Sequence, residues 1–76
     1  MDSLETYIKV LRKAVDHGEI SVPYIKQNYP IGYNKACRII DWMAENGYIE
    51  KGKGYSSTCK TKLTLDQFLE LYGEKN

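Results

Sequence analysis

The sequence predicts a mainly α-helical domain with a small β-hairpin. Apolar residues recur at three- and four-residue spacing in several segments, and two short β-prone runs flank a glycine-rich turn near residue 53. The chain has 76 residues, enough for one compact domain whose core is a single layer of packed elements. We assign residues 1–64 to that domain and residues 65–76 to an extra C-terminal helix and tail. At this size we do not expect a large active-site cleft.

The first helix is expected to begin after Asp2 or Ser3, because either side chain can cap the first turn. Gly18 is expected to end it, since glycine readily adopts the left-handed conformation that follows many helices. The apolar residues of this segment recur at helical spacing. They are Leu4, Tyr7, Ile8, Leu11, Ala14 and Val15.

The second helix is predicted to be short and to cover about residues 22–28. A short extended link, Glu19-Ile20, precedes Ser21, which is a good N-cap. Pro23 fits the first turn of the helix, where its missing N–H does no harm. Pro30 follows the helix, so the chain is expected to turn before the next element.

The third helix, about residues 33–46, divides into two faces when it is projected at about 100° per residue. Its apolar arc is predicted to face the core, and comprises Ala36, Cys37, Ile39, Ile40, Met43 and Ala44. The opposite side carries polar residues at helical spacing, namely Asn34, Arg38, Asp41 and Glu45. Lys35 and Trp42 lie on the flank of this polar side, and Asn46-Gly47 is a typical helix stop.

A hairpin and a last helix are predicted to complete the domain. Residues 48–50 form the outgoing strand, residues 51–54 a flexible turn with two lysines, and residues 57–64 a return strand rich in threonine. Thr64 and Gln67 then match a capping box for a helix over residues 65–72. The apolar stripe of that helix comprises Leu65, Phe68, Leu69 and Tyr72.

This order of elements predicts a winged helix-turn-helix, with a three-helix core, a wing and an extra C-terminal helix. In such folds the helix after the turn enters the major groove of DNA, which is wide enough to admit one α-helix. We therefore expect helix 33–46 to be the recognition helix and the wing, residues 50–58, to lie on the DNA backbone. Small domains of this kind are also used for protein contacts, so the order of elements alone does not decide the partner.

The polar side of the third helix carries the chemistry that reads base edges. The Asn34 amide can bond adenine, the Arg38 guanidinium can bond guanine, and the Asp41 carboxylate can accept from the amino group of cytosine. A helix that only gripped phosphates would be repelled by carboxylates, which favours base reading or no DNA binding at all. Candidates for additional contacts are Tyr33, Trp42 and Glu45. An ordinary solvated face, with Arg38 paired to a carboxylate at helical spacing, explains the same pattern equally well.

Charge is unevenly distributed, although the formal net charge of the whole chain is only +1. Residues 31–62 contain six Lys or Arg against three Asp or Glu, a net of +3, whereas residues 63–76 contain one against three, a net of −2. A basic middle segment indicates either a polyanion partner for one face or simply a solvated surface. With DNA as the partner, its lysines would contact phosphates without reading sequence. These are Lys35, Lys51, Lys53, Lys60 and Lys62.

Metal binding and catalysis find no support in the sequence. Cys37 and Cys59 lie 22 residues apart without a CxxC motif, and His17 is the only histidine, so the spacing of a zinc site is absent. Cys37 is expected to be a small buried apolar residue. No nucleophile is paired with a plausible base. We expect no enzyme activity, no metal, no cofactor and no small-molecule substrate.

The start of the chain is acidic and lacks the basic start and apolar stretch of a signal peptide. No apolar run approaches the roughly 20 residues that a membrane-spanning helix needs. We therefore expect a cytoplasmic protein with no membrane partner.

One run of residues resembles a known family closely. Residues 31–43 read IGYNKACRIIDWM, with Ser21-Val22 upstream and residues 46–49, NGYI, downstream. This pattern resembles the gamma domain of FtsK/SpoIIIE-type bacterial DNA translocases, where the segment looks like IGYNRAARLIDxME, and the similarity covers about residues 7–63. The resemblance implies a nucleoid-associated winged-helix domain that binds short, guanine-rich duplex sites, which orient a motor during chromosome segregation.

Carried over by position, the resemblance makes Asn34, Arg38 and Asp41 the base-reading residues, with Lys35 and the hairpin near the DNA backbone. The family's motor domain, with its GxxxxGK(S/T) loop, is absent from this sequence, so we expect no nucleotide hydrolysis. Because Met1 stands just before a well-formed first helix, we expect a stand-alone relative, such as a small transcription regulator, rather than an excised fragment.

Two functions from different classes are carried forward. The preferred one is sequence-specific binding of double-stranded DNA. The alternative is a protein-interaction module in which Trp42, where the family usually has a polar residue, joins the surface tyrosines Tyr24, Tyr29 and Tyr55. Packing against the wing or another helix would equally explain Trp42. The C-terminal helix is expected to pack on the first helix or to form a homodimer.

Overall fold

The computed structural model describes residues 4–54 and 57–73. Four helices and three short strands form in the order helix, strand, helix, helix, strand, strand, helix. Their bounds are α1 Leu4–His17, β1 Glu19–Ile20, α2 Val22–Asn28, α3 Tyr33–Glu45, β2 Ile49–Glu50, β3 Cys59–Thr61 and α4 Leu65–Tyr72. This is the predicted mainly α fold of a winged helix-turn-helix with a C-terminal helix. The caps expected at Asp2 and Ser3, and wing residues 55 and 56, lie outside the described residues.

Local capping explains why the helices begin and end where the sequence predicts. The backbone N–H of Tyr24 donates to Ser21 Oγ over 3.3 Å at the start of α2. At the start of α4, Thr64 and Gln67 exchange the two hydrogen bonds of a capping box, 2.9 and 3.1 Å long. Gly18 ends α1 with a φ of +82°, which is accessible to glycine at little cost.

The end of α3 sets the direction in which the chain enters the wing. The helix ends at Glu45, one residue before the predicted boundary, and Asn46 is its cap. The N–H of Gly47 donates to Ala44 O over 3.1 Å, and that of Tyr48 to Met43 O over 2.8 Å. This pair of bonds is a Schellman motif, and it places Gly47 at a φ of +76°.

The wing belongs to a three-stranded antiparallel sheet, in the order β1-β3-β2, rather than to a two-stranded hairpin. The link predicted at Glu19-Ile20 is β1, and it pairs with Lys60 and Cys59 of β3. The strands of the hairpin are shorter than predicted, since β2 has two residues and β3 three. The Thr61 hydroxyl also donates to the Ala14 carbonyl of α1 over 2.9 Å, which fixes the sheet against that helix.

A single apolar core joins all of these elements. It includes residues of every helix and every strand, and Phe68 is the residue of α4 that enters it. The fully or almost fully buried residues are Val10, Leu11, Ala14, Ile20, Val22, Ile25, Ala36, Ile39, Ile40, Met43, Ile49, Cys59 and Phe68. No buried side-chain nitrogen or oxygen among the described residues lacks a hydrogen-bond partner. The core holds α3 by its apolar side and leaves its polar side facing outward.

Candidate nucleic-acid interface

The polar side of α3 is presented to solvent, as its periodicity predicts. Asn34, Arg38 and Glu45 are exposed and Asp41 is half-buried. The side chains on the opposite side of the same helix, Ala36, Ile39, Ile40 and Met43, are buried. We call the four polar residues, Asn34, Arg38, Asp41 and Glu45, the polar stripe. Its amide, guanidinium and carboxylates offer the hydrogen-bonding groups that can discriminate base edges in a major groove.

An ion pair joins the polar stripe to the base of the wing. Lys51 Nζ lies 2.7 Å from Asp41 Oδ1, and the two side chains are 38% and 39% exposed. From the sequence, Lys51 is predicted to contact phosphate and Asp41 to read a base, with no pairing between them. The pairing depends on the chain reversing after α3, a contact over ten residues that helical periodicity cannot reveal.

The other predicted backbone lysines have different surroundings. Lys53 and Lys62 are exposed, and Lys35 is half-buried. Lys60 is exposed on the outer face of the sheet and lies directly opposite Glu19 and Glu50 in the strand register. Opposite charges at paired positions attract. The carboxylates therefore offset part of the positive charge of Lys60, and the basic surface is smaller than the count of lysines suggests.

Trp42 is half-buried within a chain of aromatic rings. Its ring meets Tyr7 of α1 at 5.5 Å and Tyr48 at 5.6 Å, both edge to face. The Tyr48 hydroxyl lies 2.7 Å from the Tyr72 hydroxyl of α4. Burial, and then the hydrogen bond with Tyr48, raise the pKa of Tyr72 to about 12. The structure thus shows Trp42 packed against another helix and the residue before β2, and the ring connects α3 through Tyr48 to the C-terminal helix.

Tyr33, the first residue of α3, lies beside Lys26, which is not among the DNA contacts predicted from the sequence. The Tyr33 side chain is 50% exposed, and Lys26 Nζ lies 5.7 Å from its ring centre. The two residues line a surface pocket of about 370 Å³ with Val22, Pro23 and Gln27. Lys26 therefore adds a positive charge at the N-terminal end of the polar stripe.

The tyrosines of the alternative function are less available than expected. Tyr24 and Tyr29 are half-buried, and the Tyr24 hydroxyl lies 3.2 Å from His17 Nε2. Burial, with a smaller effect of Tyr24, raises the pKa of Tyr29. Tyr55, the third tyrosine of that hypothesis, lies outside the described residues. The described part of the chain therefore shows two tyrosines engaged in packing rather than an exposed aromatic patch.

Cys37 is only partly buried, rather than fully buried as expected, and Cys59 is buried; both are free thiols. Within residues 4–54 and 57–73, no cluster of three or more His, Cys, Asp or Glu side chains could hold a metal ion. In the same residues, no helix combines the length and the apolar character needed to cross a membrane.

Comparison with known proteins assigns the chain to a family. A family model described as the Ftsk gamma domain matches residues 2–57. A DNA translocase FtsK from Lactiplantibacillus plantarum is 34% identical over 50 residues, which are 66% of this chain and 6% of that relative. No solved structure matches the chain. FtsK gamma domains are DNA-binding modules rather than catalytic ones. The match over 31–43 in sequence and the solvent-facing polar stripe agree with this assignment, and the chain belongs to the FtsK gamma domain family.

Proposed function

We propose that this chain binds double-stranded DNA sequence-specifically, with α3 in the major groove and the wing on the DNA backbone. The observation that carries the proposal is the polar stripe. It lies on the helix that follows the turn of a winged helix-turn-helix, in a chain that belongs to a family of DNA-binding modules. That helix is held by its buried side, so its outward side can enter a groove without disturbing the core.

In this proposal Asn34, Arg38 and Asp41 contact base edges. Asn34 and Arg38 are exposed and lie four residues apart, so both side chains project from the same face of the helix. An amide suits adenine, a guanidinium suits guanine, and each well-formed pair is worth about 1–3 kcal/mol of discrimination. Tyr33 and Glu45, at the two ends of α3, would add contacts at the edges of the site.

The backbone contacts would come from lysines around this helix. Lys53 and Lys62 are exposed on the wing side, and Lys35 lies on the flank of α3. Lys60 would contribute less, because Glu19 and Glu50 are opposite it in the sheet. Lys26, beside Tyr33, is added to this set by the structure. Contacts of this type set register and affinity without reading sequence.

Salt dependence tests the phosphate part of the proposal. The single tryptophan, Trp42, lies on α3 one residue from Asp41, so its fluorescence can report binding of a duplex. If about four phosphates are contacted, the logarithm of affinity should fall with the logarithm of salt concentration with a slope of about −3.6. A slope near zero would contradict binding through the DNA backbone.

Selection from a randomised duplex pool, followed by sequencing of the retained DNA, tests the specificity. We expect a short preferred sequence to be enriched. An unenriched pool would contradict base reading. The positions of the selected sites in the source genome would separate two roles, because a stand-alone regulator needs a few sites beside promoters, whereas a reader for a motor needs many sites in one orientation.

A protein-interaction surface is the second candidate, and the observation that favours it is on α4. Leu65, Leu69 and Leu71 are 41%, 46% and 56% exposed. Phe68 and Tyr72 of the same helix pack inward, so α4 forms part of the fold and still presents leucines to solvent. We include a homodimer through α4 in this second proposal. Sedimentation at micromolar concentration tests it, since a monomer would contradict the homodimer.

A further inference from the structure

The roles predicted above for Lys51 and Asp41 do not account for the ion pair between them. Lys51 stands directly after β2, at the base of the wing, and Asp41 lies in the polar stripe of α3. Their Nζ and Oδ1 atoms are 2.7 Å apart, a short charge-assisted hydrogen bond. Both side chains keep more than a third of their surface exposed, so a duplex lying on α3 and the wing would cover them together.

We infer that Lys51 is a positioning residue for Asp41, and not a phosphate contact. Its ammonium holds the Asp41 carboxylate in one orientation on the reading face and offsets its negative charge. The inference rests on the proposed DNA binding. It identifies Lys51 as the wing residue that allows the Asp41 carboxylate to lie close to DNA phosphates.

An acidic side chain on a DNA-facing helix needs such a partner. Phosphates repel an isolated carboxylate, and the low-dielectric environment of an interface strengthens that repulsion. A lysine at hydrogen-bond distance removes most of the net charge. An ionised carboxylate has about four acceptor positions, so the bond from Lys51 and a bond from a cytosine amino group can be made by the same carboxylate.

Geometry separates this role from that of the neighbouring lysine. The ammonium of Lys51 is already directed to α3, whereas Lys53 lies two residues further into the turn and is exposed. The Lys51 ammonium has three N–H donors, but the Asp41 carboxylate already offsets its positive charge, so a further bond to a phosphate would add little net attraction. Lys53 therefore provides a matched control from the same turn, with the same charge and side-chain length.

A double-mutant cycle tests the inference on the duplex that the wild-type domain selects. Affinities and salt slopes are measured for Lys51→Met, Asp41→Asn, the double variant, Lys51→Arg and Lys53→Met. We expect Lys51→Met to lose about three- to fivefold in affinity, the upper part of the range of a solvent-exposed ion pair, and to lose nothing further when Asp41 is already Asn. Lys51→Arg should recover most of the loss.

The salt slope and the base preference provide readouts that a loss of stability would not reproduce. The double variant, which removes both charges of the pair, should keep the wild-type slope, whereas Lys53→Met should become shallower by about 0.9, the value of one phosphate. Lys51→Met should also weaken preference at the position that Asp41→Asn alters, while Lys53→Met weakens binding equally on all sequences.

Two outcomes would overturn the inference, and they are distinguishable. If the wild type selects a sequence but the losses from Lys51→Met and Asp41→Asn multiply, with a slope shallower by about 0.9 for the double variant, then Lys51 is a phosphate contact and the inference alone fails. If the wild-type domain selects no sequence, the proposed function fails and the inference with it.

Discussion

Replacement of Phe68 by alanine tests whether α4 is an integral part of the fold. Phe68 is 5% exposed. Among the residues that the structure describes, it is the one through which α4 enters the core. Its ring lies 5.5 Å from that of Tyr72, and the Arg12 guanidinium of α1 lies 5.8 Å from its centre. Loss of a buried phenylalanine costs about 3–5 kcal/mol, and we expect about 3, because a peripheral helix can partly close the cavity.

That cost is large for this chain, because a domain of 76 residues is typically stable by about 4–11 kcal/mol. Urea unfolding followed by Trp42 fluorescence measures it. If the free energy of unfolding falls by about 1 kcal/mol per molar urea, the urea concentration at the unfolding midpoint should fall by about 3 M. Leu71→Ala is the matched control on the same helix, since Leu71 is 56% exposed, and it should change stability by no more than about 0.5 kcal/mol.

Equal, small effects of Phe68→Ala and Leu71→Ala would refute this reasoning. They would mean that residues 1–64 fold on their own and that α4 is an appendage, as the initial division of the chain at residue 64 implies. A large effect of Phe68→Ala would instead support the proposal that the helices and the sheet form one folding unit that includes α4.

Three further changes test the local account. Gly47→Ala should cost about 1–2 kcal/mol in a urea titration, because Gly47 has a φ of +76° in the Schellman motif; no measurable loss would contradict that geometry. Ser21→Ala should cost about 1 kcal/mol through loss of the α2 cap, and Ser21→Gly only a few tenths; similar losses would argue against the cap. For Tyr72, the pKa is about 12 in the folded chain and 10.0 ordinarily. The protonated hydroxyl therefore stabilises the fold fully below pH 10.0, and this contribution is lost as pH rises to about 12. Tyr72→Phe should remove that part of the pH dependence, and an unchanged dependence would contradict the assignment.

Elements defined by neighbouring residues could be predicted from the sequence. The bounds of α2 follow from Ser21, Pro23 and Pro30, and those of α4 from the capping box of Thr64 and Gln67. The orientation of α3 followed from its apolar periodicity, since one side of the helix is buried and the other faces solvent. Each of these signals lies within a few residues of the structure that it specifies.

Long-range pairing was not predictable in the same way. A strand of two residues, Glu19-Ile20, carries no periodicity of its own and is a strand only because β3, about forty residues later, pairs with it. The ion pair of Lys51 and the hydrogen bond between Tyr48 and Tyr72 were not predictable for the same reason, because their partners lie in other elements of the fold. In the candidate site, the sequence therefore identified the groups of the polar stripe and missed which of them are paired before any ligand binds.

The central claim is tested most directly by selection from a randomised duplex pool, followed by sequencing of the retained DNA. The selection is carried out with the wild type and with the Arg38→Ala and Lys53→Ala variants. Arg38 is exposed in the polar stripe, and Lys53 is exposed in the wing. We expect the Arg38 variant to lose preference at one base position, with a cost of about 1–3 kcal/mol there, and the Lys53 variant to bind all sequences more weakly with its preference intact. Uniform loss on all sequences from both variants would contradict base reading by α3.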